Sequence, residues 1–423
     1  MKGVVRIRKG REVQGMPRQA VRTLSGGGEV DSVVEVIQAL IPLGLAAVED
    51  ALSEEIRRLA GERYQRTRRP PGHVRWGRQL GSVYLLDQKV PLEVPRVRNR
   101  LRNQELPLEL YTRLQEPRHG DAGLLRRVLL GLSARRYEEC AEAVPEAFGL
   151  SPSSVSRRFI RASARKLQQL AERRLEGYDI VVLFLDGKTF AEDELVVALG
   201  LTGRGEKVVL GFVQTATENE AVCAAFLRQL VARGLRWESG LLCVIDGAKG
   251  LRAAIRRVFG PAALVQRCQW HKRENVLRYL PKAQQAAWRR TLQAAYERPT
   301  YAEAKAALSV LQRDLRHVNL SAAESLAEGL EETLTLHRLR LFPQLGLSLK
   351  TTNCIESLLA QVGQRTDKVD RWVTSDQKHR WVASALLDIE PRLRRIRGYR
   401  FLPQLRAALE AHRQHQKQPQ EVA

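Results

Sequence analysis

The chain has 423 residues, 44% of them hydrophobic: too long for one ordinary core, and apolar enough to build two to four domains. Its 70 Lys and Arg against 47 Asp and Glu leave a net charge of +23, an excess that does nothing for a fold and points to a polyanionic partner. No run approaches the roughly eighteen apolar residues of a membrane span, the first residues lack a signal-peptide apolar region, and the five scattered cysteines include no CxxC pair. The expectation is a cytoplasmic protein with reduced thiols and no membrane partner, nucleic acid being the favoured polyanion.

Residues 1–60 begin as a basic arm ending in "SGGGEV" and continue with helical periodicity from Asp31 to Leu59, either a dimerising element or an ordinary core contact. Residues 61–110 read as a small basic β unit. "GSVYLLDQKVPLEVPRVR" alternates like strands around a turn, and in residues 63–103 only Asp87 and Glu93 oppose eleven Arg and Lys. Arg66, Arg68, Arg69, Arg96, Arg98 and Arg100 are candidates to track phosphates, with a solvated basic face as the alternative.

Residues 111–176 are helical. Within them Gly149-Leu150 forms a turn, Ser151 caps and Pro152 takes the first position of a helix. Ser153, Ser154, Ser156, Arg157 and Arg158 fall near that helix's start, as in the second helix of a DNA-binding helix-turn-helix.

From 177 to 275 the pattern changes to strand, strand, strand, helix, strand, helix, strand, helix, a mixed α/β layer. "YDIVVLFLDG" reads as a buried central strand ending in Asp186, and "SGLLCVIDG" as a second ending in Asp246. A capping pattern from Thr217 to Glu220 opens the helix between them. Residues 276–345 lose all strand character. Thr300 to Glu303 and Ser321 to Glu324 mark helix starts in this all-helical block. Residues 346–423 return to the layer and close with helices.

Asp186 and Asp246 each precede Gly, which a plain Asp-Gly turn would explain. Together, at the ends of two apolar strands, they sit where α/β sheets gather functional groups. A third carboxylate, Glu356, lies in "SLKTTNCIESLL", residues 348–359, where Asn353 followed by Glu356 also fits a capping box. Three clustered carboxylates need a compensating cation. Mg²⁺ suits oxygen ligands shared with phosphates, and two such ions about 4 Å apart serve phosphodiester transfer.

"FLDGK", "VIDGAKGL", "QRCQWHKREN" and "LKTTNCIES" resemble, in that order, the signature segments of the bacterial mutator-type insertion-sequence transposases. The resemblance extends more loosely from "GSVYLLDQKVPLEVPRVR" to "SALLDIEPRLRRIRGYR". It implies a DDE enzyme in which an RNase H-like mixed sheet is interrupted by an all-helical insertion and preceded by helical and small β DNA-binding domains. Asp186, Asp246 and Glu356 match the catalytic and metal-binding triad.

The implied cofactor is a pair of Mg²⁺ ions, with Mn²⁺ able to substitute. The implied partners are double-stranded DNA, as terminal inverted repeats and target, and a second copy of the chain in a homodimer on the bacterial nucleoid. Cys268 and His271 fall on the family's C/D-x-x-H signature. They read as a structural junction, as half of a zinc site needing remote Cys223 or Cys243, or as a group beside the scissile phosphate. Trp270 and Trp372 are core residues or base-stacking platforms. A DNA-binding regulator without turnover and a structure-selective nuclease are the competing functions.

Overall fold

The computed structural model describes residues 30–64, 72–85, 88–115, 120–137, 149–190, 192–215 and 219–417. They fall into two compact units, one reaching from the N-terminus to Val128 and from Leu132 to Phe159, the other made of residues 129–131 and 160–423.

In the first unit a long helix, α1 (Val30–Ala60), lies on a three-stranded antiparallel sheet, β1 (His73–Leu85), β2 (Gln88–Asn99) and β3 (Gln104–Leu106). Leu52, Ile56 and Ala60 recur every fourth residue, so they share one helix face and bury it against Val83, Leu92, Val94 and Val97. The buried Glu55 carboxylate accepts the backbone N–H groups of Glu109 and Leu110, which open the short helix α2 (Glu109–Leu114). Those N–H groups have no partner inside the helix, and an anion at a helix start is favourable. Next come α3 (Gly120–Leu129) and the start of α4 (Pro152–Ala171), whose residues from Ile160 on belong to the second unit; α4 begins with Pro152 after a left-handed Gly149, as its residues predict.

The second unit is built on a five-stranded sheet in the order β6-β5-β4-β7-β8. β4 (Ile180–Phe190), β5 (Asp193–Thr202) and β6 (Lys207–Thr215) form an antiparallel meander. β7 (Leu241–Ile245) and β8 (Ala263–Arg267) add parallel to β4, separated by α5 (Glu220–Ala232) and α6 (Lys249–Phe259). Residues 180–185 are buried throughout because both sheet faces are covered. One face carries α5 and α6 through Phe226, Leu227, Leu230 and Ile255. The other carries α13 (Phe342–Leu349), α14 (Asn353–Thr366), α15 (Ser375–Ile389) and α16 (Leu402–Lys417) through Leu345, Ile355, Leu358, Leu386 and Leu405.

Between β8 and α13 the chain is helical: α7 (Gln269–Leu277), α8 (Lys282–Tyr296), α9 (Tyr301–Val318), α10 (Leu320–Ala327) and the short α11 (Leu330–Thr333) and α12 (Thr335–Arg338). They enclose a core of their own around Leu277, Leu292, Leu308 and Leu326. Thr300 and Glu303 form the expected capping box. Two other starts differ from expectation. Asn319 rather than Ser321 caps α10, and Asn219 caps α5, each side chain accepting a backbone N–H of the first turn. Asn at least equals Ser and Thr in this role, so the nearer Asn wins. Among the described residues no helix is long and apolar enough to cross a membrane.

Candidate catalytic site

Alternation along β4 decides where Asp186 points. Val182 and Phe184 face the α13–α16 side, so Asp186, two residues on, faces it too. On β7, Leu242 and Val244 face the same side, which aims Asp246 there as the strand ends. β4 and β7 are parallel with Phe184 opposite Val244; the same register two residues further sets Asp186 level with Asp246 on strands about 5 Å apart. The expected strand end at Asp186 is not found: β4 runs on through Gly187 to Phe190, paired to β5 throughout, so only Asp246 stands in an Asp-Gly turn at a strand end. Asp246 Oδ1 accepts the N–H of Ala248 at 2.9 Å, and Gly247 adopts a left-handed φ of +112° with Arg267 packed where a side chain would begin.

Glu356 comes from the first turn of α14, whose Ile355, Leu358 and Leu359 pack on the same face of the sheet. The capping box is absent: the cap residue is Thr352, Asn353 is already helical, and Glu356 accepts a hydrogen bond from the Thr352 hydroxyl. Its side chain keeps 37% exposure, enough to meet a ligand. Lys188, on β4 two residues beyond Asp186, donates to the carbonyl of Leu359 and ties α14 to the strand that carries Asp186.

Three carboxylates so arranged repel one another. Asp186 is buried and its carboxyl is pushed up to about 7, first by burial and then by the charges of Asp246 and Glu356, with His271 opposing. His271 is raised to about 9: its hydrogen bond with Cys268 outweighs burial, and the Glu356 and Asp246 carboxylates add to it.

Cys268, His271 and Glu356 bring their ligand atoms within 4.8 Å of one another. The Thr352 hydroxyl lies among them, 3.3 Å from His271 Nδ1 and 3.5 Å from Cys268 Sγ, besides its bond to Glu356. Cys223 and Cys243, the remote cysteines weighed as further zinc ligands, are buried in the core on the opposite sheet face. These contacts make a hydrogen-bonded hub around Thr352, a residue that sequence reasoning missed. The Cys268 N–H also bonds the carbonyl of Ile245, fixing the hub to the residue before Asp246.

The basic candidates are distributed differently. Arg66, Arg68 and Arg69 lie outside the described residues, as do residues 138–148, the expected first half of the helix-turn-helix. Arg96 makes a two-pronged pair with Glu105, and Arg98 bonds Asn103 and lies 4.9 Å over the ring of Trp76, with Arg100 at 6.0 Å. Ser153, Ser156 and Arg157 are exposed near the start of α4, and Ser154 is half-buried.

Arg158 corrects its expectation. It is buried and pairs with the buried Asp121 at 3.0 Å, so it does not face a phosphate. Breaking a buried pair strands a charge, so Arg158→Ala is expected to destabilise the N-terminal unit by roughly 3–5 kcal/mol. Urea denaturation checks it, and an unchanged midpoint contradicts it. Trp372 packs its ring against Phe190 and Trp381, a core role, whereas Trp270 is 45% exposed.

Comparison with known proteins gives the family of the chain. The profile of the family described as "Transposase, Mutator family" matches residues 23–391. The chain is 28% identical over 356 residues to the transposase for insertion sequence element IS905 of Lactococcus lactis subsp. lactis (strain IL1403), covering 81% of this chain and 86% of the relative. It is 32% identical to the transposase for element IST2 of Acidithiobacillus ferrooxidans, over 54% of this chain and 78% of the relative. It is 28% identical to the transposase for element ISRM5 of Rhizobium meliloti (strain 1021), over 79% and 82%. The chain belongs to the Mutator family of transposases.

Proposed function

We propose that the protein is a DDE transposase with an RNase H-like core and a helical insertion between β8 and α13. It binds the terminal inverted repeats of its insertion sequence on the nucleoid, cuts them, and joins the freed 3′-hydroxyl to target DNA. The observation that carries this reading is the convergence of Asp186, Asp246 and Glu356 on one side of the sheet, where burial first, and then the charges of Asp246 and Glu356, push the Asp186 carboxyl up to about 7. Such a cluster has no use for its repulsion unless a cation relieves it.

The donor set fits Mg²⁺: three carboxylates, of which Glu356 keeps 37% of its side chain exposed. Bound there, a pair of Mg²⁺ ions supplies an activated water or 3′-hydroxyl and stabilises the leaving oxygen. The chain's own residues do the rest. The Ala248 N–H holds the Asp246 carboxylate, Thr352 holds that of Glu356, and Lys188 keeps α14 in register with β4.

The pH dependence follows from Asp186. Its folded value of about 7 lies above the usual carboxylate value of 3.8, so the stability it contributes is fully present below about pH 4 and is lost as pH rises through 7. His271, raised to about 9, acts in the same direction between 6.5 and 9. Mg²⁺ should therefore raise the melting temperature more at pH 8 than at pH 5.5, by about 2–5 °C against less than about 1 °C. Asp186→Asn should raise the metal-free value at pH 8 and remove most of the Mg²⁺ response. Equal Mg²⁺ shifts at both pH values contradict a cation relieving these carboxylates.

Function is tested with labelled duplexes of the terminal repeat flanking this gene. Metal-dependent nicking at the repeat tip that leaves a 3′-hydroxyl supports a transposase. Tight, salt-sensitive binding without cutting under Mg²⁺ or Mn²⁺ identifies a regulator. Cutting of branched DNA with no preference for the repeat identifies a structure-selective nuclease.

A further inference from the structure

Alternation along β8 turns Ala263 and Val265 toward α5 and α6, and Arg267, the last residue of the strand, follows them to that face. Arg267 and Lys272 of α7 are both buried, at 6% and 0% exposure. The Arg267 guanidinium fills the space where side chains of Gly247 and Gly329 would begin, and both glycines hold a left-handed φ, +112° and +66°. Gly247 follows Asp246, so a buried positive charge stands beside the peptide that leaves a proposed metal ligand. Neither Arg267 nor Lys272 takes part in holding the cations.

The acid within reach of both is Glu328, and it serves them poorly. Arg267 Nη2 and Lys272 Nζ each lie 3.5 Å from Glu328 Oε2, longer than the roughly 2.7–2.9 Å of a charge-assisted hydrogen bond. Lys272 Nζ makes no hydrogen bond among the described residues. Glu332 is taken by Arg252, and Lys249 adds its charge around Glu328. Arg267, Lys272, Lys249 and Arg252 thus share two carboxylates. Burial, and then the Arg267 charge, lower the Lys272 ammonium to about 8, which leaves it charged at neutral pH. A buried charge held this far from its counter-ion is costly. Glu328 is 48% exposed, so the way from solvent to the pair leads past its carboxylate. Close by, α6 starts at Lys249 with no capping side chain and no acid in its first turn, a helix start suited to an anion.

We propose that Arg267, Lys272 and the start of α6 form a subsite for one backbone phosphate of the DNA, and that Glu328 occupies it in the free protein and is displaced when DNA binds. The assignment rests on the transposase function proposed above. A phosphodiester brings two free oxygens, so each cation gains an acceptor of its own, which the single Oε2 of Glu328 does not give. Consecutive Cα atoms are about 3.8 Å apart and consecutive nucleotides of a strand about 3.4 Å, so a phosphate held beside Gly247 lies on the order of one to three nucleotides from the one at Asp246. Holding it fixes which phosphate meets Asp186, Asp246 and Glu356. The subsite therefore sets the position of the cut, and it lies outside the metal-binding set.

The test uses the full-length protein and terminal-repeat duplexes carrying an uncharged methylphosphonate at one backbone position at a time near the cut, on either strand. Filter binding should find one position where loss of the charge weakens wild-type binding by about 10- to 100-fold. Lys272→Met, an apolar side chain of similar length, should bind unmodified DNA more weakly by a similar factor. It should be insensitive at that one position and keep wild-type sensitivity at the others. Glu328→Gln separates a displaced competitor from a plain counter-ion. It should bind the unmodified end about 3- to 10-fold more tightly than wild type and lose that gain on the modified duplex. If Lys272→Met does not fold, Glu328→Gln on the two duplexes decides alone. Equal or weaker binding of the unmodified end by Glu328→Gln, or wild-type sensitivity at every position in Lys272→Met, overturns the subsite alone. A wild-type protein that neither binds nor cuts the repeat overturns the proposed function and the subsite with it.

Discussion

Asp186→Asn, Asp246→Asn and Glu356→Gln should each lower DNA cutting by about a thousandfold or more, while affinity for the terminal repeat stays within about twofold. The amides preserve shape. In Asp246→Asn the amide oxygen would still accept the Ala248 N–H, and in Glu356→Gln it would still accept the Thr352 hydroxyl, so the folded site survives. What is lost is one negative charge from a set of three that together would hold the cations. Asp186 is the severest case because it is the buried member, 7% exposed, and a cation must neutralise it there. In the proposed transposase, DNA affinity would rest on arginines elsewhere in a chain of net charge +23, which is why binding and cutting should separate. Single-turnover cutting and filter binding on the same preparations measure both. Parallel loss of binding and cutting would mean that the substitutions damage the fold.

Thr352→Val should slow cutting by about 10- to 100-fold, the usual effect of removing a group that orients a metal ligand. Thr352 is fully buried and its hydroxyl meets Glu356, His271 and Cys268 at once. Valine has the same shape and no hydroxyl, so Glu356 loses the donor that fixes its carboxylate. His271→Ala should act in the same direction, because it removes both the partner of Thr352 and a positive charge 3.9 Å from Glu356. A positioning role differs from a packing role in its readout. The Mg²⁺ concentration at half-maximal rate should rise several-fold in Thr352→Val, and Thr352→Ser, which keeps the hydroxyl, should restore it. An unchanged Mg²⁺ dependence at reduced rate would assign Thr352 to packing alone.

Asp246 was legible in position because β7 is an apolar run that ends at an Asp-Gly pair, whereas β4 continues past Asp186 to Phe190, so there only the period of two fixes the face that the carboxylate takes. Glu356 was legible in the motif but ambiguous in the local pattern. Only the position of Thr352, one residue ahead of Asn353, shows that the carboxylate is not spent on a cap. Arg158 carried a usable signal. Val155, Phe159 and Ala162 are buried on α4, and Arg158 falls on that stripe three residues after Val155, so helical spacing already turned it inward. The Thr352 hub was not legible, because its partners lie 81 and 84 residues away and no local rule joins them. Trp270 and Trp372 show the same limit: identical residue types, one packed on Phe190 and Trp381, the other open beside a cavity.

The most direct measurement compares wild type and Glu356→Gln on an end-labelled duplex carrying the terminal repeat, with Mg²⁺ present or chelated. The predicted result is a single cut at the repeat tip for wild type with Mg²⁺, and none in the other three reactions. Cutting by Glu356→Gln at the wild-type rate would contradict a metal-binding role for this carboxylate and leave it a side chain that merely bonds Thr352.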